Sequence, residues 1–154
     1  MRAFMIAALL AAGTVLVAAP AFAQAGRVTA VSRAPFQKVV EALEQAIAEQ
    51  KMALVCHANA QAGAAGRGVT IKGNQVLMVF RNDFAVRLLA ADPTAGFEAP
   101  VRIYVYENPD GTATLTYLPP TAVFAPYTHP EVKKVAAELE PIFKSIVDRA
   151  LATH

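Results

Sequence analysis

Two alternating runs joined by a four-residue turn constrain this chain more than any other feature. Residues 101–107 place Val101, Ile103 and Val105 at every second position, with Arg102, Tyr104 and Tyr106 between them. Residues 112–118 do the same with Ala113, Leu115 and Tyr117 against a threonine series. Successive side chains of an extended strand point to opposite faces, so each run offers one apolar face to a core. Asn108-Pro109-Asp110-Gly111 lies between them, with Pro and Gly where a tight turn needs them. The pair predicts an antiparallel hairpin whose other face presents Arg102, Tyr104 and Tyr106.

Around the hairpin the pattern changes period. Residues 27–34 alternate and are rich in β-branched side chains, which predicts a first strand. After Pro35, the residues Phe36, Val39, Val40, Leu43, Ala46 and Ile47 recur at three- and four-residue steps, with Glu41, Glu44, Gln45 and Glu49 opposite. That is an amphipathic helix packed on a core. Residues 52–58 read as a buried strand, and the Ala/Gly-rich stretch 59–73 as a mobile connection. Its Gly63, Gly66 and Gly68 lack the spacing and the following Lys-Ser/Thr of a phosphate-binding loop. Residues 76–80 predict a strand and 84–91 a short helix carrying Leu88 and Leu89.

Near the end, Thr128-His129-Pro130-Glu131 has the form of a capping box, with Tyr127 and Val132 placed for a hydrophobic staple. The apolar stripe Val132, Val135, Leu139, Ile142, Phe143, Ile146, Val147 and Leu151 follows. Pro141 inside it removes one backbone hydrogen bond, which predicts a kink or break near Leu139. The fold class is α+β, in the order β-α-β-β-(short α)-β-β-α.

The start of the chain is of another kind. Met1-Arg2 precedes a nearly unbroken apolar run over residues 3–19, and Ala21-Phe22-Ala23 has the small-residue pattern cut by signal peptidase. Residues 1–23 are therefore expected to be a cleaved signal peptide, with the cut before Gln24 and a periplasmic destination. The competing interpretation, a membrane anchor, meets a run shorter than the roughly 20 residues a bilayer core requires, interrupted by Gly13 and Pro20. No cysteine lies near the cut to carry a lipid. The remaining residues, 24–154, have the length of one domain.

Charge and cysteine usage narrow the function classes. The whole chain has a formal net charge of +2, and loss of Arg2 brings it to +1. No basic stripe with interleaved aromatics is present, which argues against nucleic acid as partner. Cys56 is the single cysteine, so no internal disulfide forms. It reads as a small buried hydrophobe, with an intermolecular disulfide or a metal thiolate as the other options.

With these elements placed, the sequence resembles the family catalogued as domain of unknown function 302 over about residues 28–152. The resemblance rests on residues 100–107 followed by Asp110-Gly111, then on Tyr117 and Pro119-Pro120, with residues 76–80, Leu88-Leu89 and Asp92-Pro93 in support. His57 and His129 fall where members commonly carry histidine. Two departures are visible: Arg81-Asn82-Asp83 replaces a Gly-Asn-Pro type turn, and Lys51 stands where a glycine usually ends the first helix. A non-glycine in a left-handed cap costs about 1 kcal/mol, which leaves the ending of that helix open. The resemblance implies a TATA-binding-protein-like curved antiparallel sheet with helices on one face, often dimeric. It implies no settled activity, and likeness of fold to a DNA-binding protein carries no function.

The chemistry-bearing candidates are few. Alternation puts His57 in phase with Val55 and Ala53 and sends Cys56 to the other face, so the adjacent pair is not expected to hold one metal. His129 sits at a helix start, whose partial positive charge disfavours imidazolium, and a neutral imidazole is the form that binds metals or haem iron. Convergence of His57 and His129 on one metal or haem is one expectation; two structural side chains, one bonded to a loop and one half-buried, is the other. Glu98, Glu107 and Asp110 lie at loop or strand ends, where solvation accounts for them. No nucleophile elbow, His-Glu-x-x-His motif or cysteine nucleophile motif occurs, which weighs against an enzyme. The sequence is read as a periplasmic small-ligand-binding or accessory domain, expected to be a homodimer. The alternatives are an interaction module using the Arg102/Tyr104/Tyr106 face and an enzyme with an unrecognised site.

Overall fold

In a computed structural model, which describes residues 26–153, the hairpin becomes the centre of a five-stranded antiparallel sheet. The strands are β1 (Val28–Pro35), β2 (Ala53–Asn59), β3 (Asn74–Phe80), β4 (Val101–Glu107) and β5 (Thr112–Tyr117). Their spatial order is β1-β5-β4-β3-β2, with every pairing antiparallel. The turn closes through Gly111 N–H donating to Asn108 O and Asn108 N–H donating to Thr112 O. Gly111 has a φ of 85°, which favours glycine there. Asp110 completes the turn by accepting from both the backbone N–H and the hydroxyl of Thr112.

The helices are α1 (Phe36–Glu49), α2 (Ala60–Ala65), α3 (Asn82–Ala91), α4 (Pro120–Val123) and α5 (Pro130–Leu151), with a 3₁₀ segment at Pro93–Glu98. The main helices pack on one sheet face. The apolar hairpin residues Val101, Ile103, Val105, Ala113, Leu115 and Tyr117 are buried beneath them, and the six apolar positions expected of α1 are its six buried ones. Phe143 of α5 stacks on the Tyr117 ring. The opposite face carries Arg102, Tyr104 and Tyr106, none of them buried. Fold class, the order of the five strands and of α1, α3 and α5, and the faces of the hairpin thus follow the sequence expectation, while α2, the 3₁₀ segment and α4 are additional.

Five details differ. First, β2 is an edge strand with six of its seven residues exposed, and Cys56 is exposed with it. An apolar run has the same composition in a central strand and at an edge. Second, a bulge between Leu54 and Cys56 inserts Val55, so Leu54 pairs with Val79 and His57 with Leu77. His57 therefore shares the helix-covered face with Leu54, and Cys56 the open face with Met78; an extra residue reverses the phase beyond it.

Third, the Ala/Gly stretch contains helix α2, started by Asn59 Oδ1 accepting from Ala62 N–H at 2.9 Å. No residue of α2 is buried. Fourth, α5 continues unbroken through Pro141, because Leu139, Phe143, Ile146 and Val147 on either side are all held in the core. Fifth, the capping box does not form. His129 is the N-cap, its Nδ1 accepting from Glu131 N–H at 3.2 Å, while the Glu131 carboxylate is drawn to Arg87. A charge-assisted bond to a guanidinium is stronger than a neutral one to an amide. The predicted leader and its cut, and also His154, lie outside the described residues.

Helix α1 does end in a left-handed residue: Lys51 has a φ of 55°. Met52 N–H then reaches Ile47 O and Lys51 N–H reaches Ala48 O, satisfying the last carbonyls as a glycine cap would. Among the described residues no helix is long and apolar enough to cross a membrane.

Candidate functional site

The strand registers line up the open face in rows. Tyr104 of β4 lies opposite Val76 of β3 on one side and Thr116 of β5 on the other. Met78 lies opposite Arg102, and Cys56 opposite Met78. Where the 3₁₀ segment passes the ends of β3 and β4, this face becomes a cavity of about 580 Å³. Its wall is partly aromatic and aliphatic (Phe97, Tyr104, Met78, Val76) and carries Arg102 and Arg27 with a single acid, Glu98.

Local structure fixes these side chains. Asp92 caps the 3₁₀ segment by accepting from Thr94 N–H at 2.9 Å and from the Thr94 hydroxyl at 2.6 Å. The hydrogen bond from the Thr94 hydroxyl, joined by that from the Thr94 N–H, holds the Asp92 carboxyl below its ordinary range. The segment so anchored presents Phe97 at 90 % exposure on the cavity wall. The Tyr104 hydroxyl accepts from Asn74 Nδ2 at 2.5 Å, and its ring lies 5.5 Å from that of Tyr106. The Thr116 hydroxyl is engaged by Val28 O and by Thr29.

Of the five site residues expected from sequence, Arg102 and Tyr104 line the cavity, and Tyr106 stands beside Tyr104, one row further along the sheet. The histidines are elsewhere and have no partner in common. His57 projects beneath the sheet edge, its Nε2 2.5 Å from Gln75 Oε1 and its Nδ1 3.2 Å from Glu44 Oε1. His129 caps α5. Among the described residues no group of three or more His, Cys, Asp or Glu gathers as a metal site would require.

Arg27, Phe97 and Met78 were missed by sequence reasoning. Arg27 was read only as the opening of a strand, and Phe97 was given no place in any element. Alternation could have placed Met78 across from Leu77 and Val79, but not beside Arg102. A second concavity of about 340 Å³, lined by Val55, Phe80, Leu88 and Leu89 among others, lies at the β2 edge; it is almost wholly apolar.

An α+β domain with one sheet face covered by helices and the other hollowed into a mixed aromatic and cationic cavity defines the class. The chain belongs to the family described as Domain of unknown function DUF302, whose model matches residues 28–150. It is similar in fold to the crystal structure of an uncharacterized conserved DUF302 protein from Bacillus stearothermophilus. That similarity has a TM-score of 0.71 at 20 % identity, covering 82 % of this chain and 98 % of that one. No curated protein matches the chain.

Proposed function

We propose that this is a small-ligand-binding domain acting in the periplasm, with the open-face cavity as its binding site. Its volume of about 580 Å³ falls within the usual 300–1,000 Å³ of small-molecule sites. The observation that carries the reading is the composition of its wall: exposed Phe97, Met78 and Val76 supply apolar contact, while Arg102 and Tyr104 supply orienting polar groups. The apolar leader supports the location. Both ring nitrogens of His57 face Gln75 and Glu44, which favours the cavity over the histidines as the site.

Titration of the isotope-labelled protein with a fragment mixture, read by NMR, tests this. Shifts are expected at Met78, Tyr104, Phe97 and Thr116. Shifts confined to His57 and His129 on addition of Cu²⁺, Zn²⁺ or haemin would overturn the proposal in favour of a histidine site.

A further inference from the structure

The cavity wall is asymmetric in charge and in hydrogen-bonding capacity. Tyr117 of β5 pairs with Val28 on one side and Ile103 on the other, and faces the helices. Arg27 immediately precedes β1 at Val28, and Arg102 precedes Ile103 within β4; β1 and β4 flank β5, and alternation sends both arginines to the open face. Two strand spacings, about 9–10 Å, separate their backbones, a gap that two long side chains close from either side. Among the described residues neither guanidinium has a carboxylate within ion-pair distance, whereas Arg81, Arg87 and Arg149 are each paired. The Tyr104 hydroxyl is held by Asn74, on the side of Tyr104 away from Arg102, so the two guanidinium groups are the donors nearest the head position. Against these donors the lining sets one carboxylate, Glu98.

We infer that the cavity selects an organic anion: a carboxylate or phosphate head held between Arg27 and Arg102, with an apolar body lying on Met78 and against Phe97. Two like charges sharing one cavity repel each other. An oxyanion between them replaces that repulsion with two charge-assisted contacts, and the planar guanidinium fork matches carboxylate and phosphate geometry. The aromatic and thioether wall gives the rest of the ligand a place out of water. This inference rests on the cavity being the ligand site.

The test uses a series sharing one eight-carbon chain: octanoate, octyl phosphate, octanol and octyltrimethylammonium, with acetate and inorganic phosphate as heads alone. Binding is followed by NMR shifts and calorimetry on the wild type, Arg102→Gln and Arg27→Gln. Octanoate or octyl phosphate is expected to bind at least about tenfold more tightly than octanol, the bare heads and the cation more weakly still, and each arginine variant to lose about tenfold for the anions only. Unchanged thermal unfolding of the variants shows that the fold is retained. Octanol binding as tightly as the anions, or Arg102→Gln binding octanoate like the wild type, overturns the anion clamp while leaving the cavity as a ligand site. Absence of any shift in the cavity with every member of the series overturns both.

Discussion

His57 and Gln75 form a close contact at the β2 edge, Nε2 to Oε1 at 2.5 Å, and Gln75 is only 3 % exposed. Among the described residues this contact supplies the buried amide with its only side-chain partner, so the histidine has a structural task. His57→Ala is expected to destabilise the domain by about 1–3 kcal/mol, the usual cost of stranding a buried polar group. Adding Gln75→Leu should recover part of the loss, since it removes the stranded group. Denaturant midpoints of both single mutants and the double mutant check this; strictly additive losses refute it.

Leu115 and Ile103 are fully buried between sheet and helices, whereas α2 buries nothing. Leu115→Ala and Ile103→Ala should each cost about 2–5 kcal/mol through lost burial and residual cavity. Substitutions at exposed positions of α2 should stay within about 0.5 kcal/mol. Chemical denaturation of the three variants separates the two cases.

Lys51 occupies the left-handed region at the end of α1. Replacing it with glycine removes a steric cost of about 1 kcal/mol, and the greater freedom of glycine in the unfolded chain offsets part of that. Lys51→Gly should therefore raise stability by up to about 1 kcal/mol, read as a higher denaturant midpoint at unchanged slope.

Arg87 bridges α3 to α5 by contacting Glu138 and Glu131. The hydrogen bond from Arg87 holds the Glu138 carboxyl below its ordinary value. A carboxyl lowered in the folded state stabilises above its unfolded value and loses that contribution as pH falls through the folded one. The wild-type unfolding midpoint should therefore drop as pH is lowered below about 4.5, the ordinary glutamate range. Glu138→Gln should start lower at pH 7 and fall less steeply. Equal acid slopes for the two proteins would contradict the assignment.

Export is the remaining expectation. Intact mass of protein recovered from the periplasm should correspond to a chain beginning at Gln24. Recovery of the full-length chain in the membrane fraction would refute cleavage.

The sequence by itself determined the hairpin, its faces and the helices that cover one of them. Those features are local: alternation at residues 101–107 and 112–118, a turn requiring Gly111, and helical spacing from Phe36 to Ile47 each repeat within a few residues. It also determined that Arg102 and Tyr104 lie away from the core. The tertiary structure alone decided what depends on neighbours distant in the chain. Whether residues 53–59 run at the centre or the edge depends on which strand lies beside them, and the Val55 bulge that turns His57 toward Gln75 shows only in pairing with β3. Arg27 and Arg102 are 75 positions apart in sequence. They share a cavity because β5 pairs with both β1, which Arg27 immediately precedes, and β4, which carries Arg102, a long-range closure that no periodicity within either strand encodes.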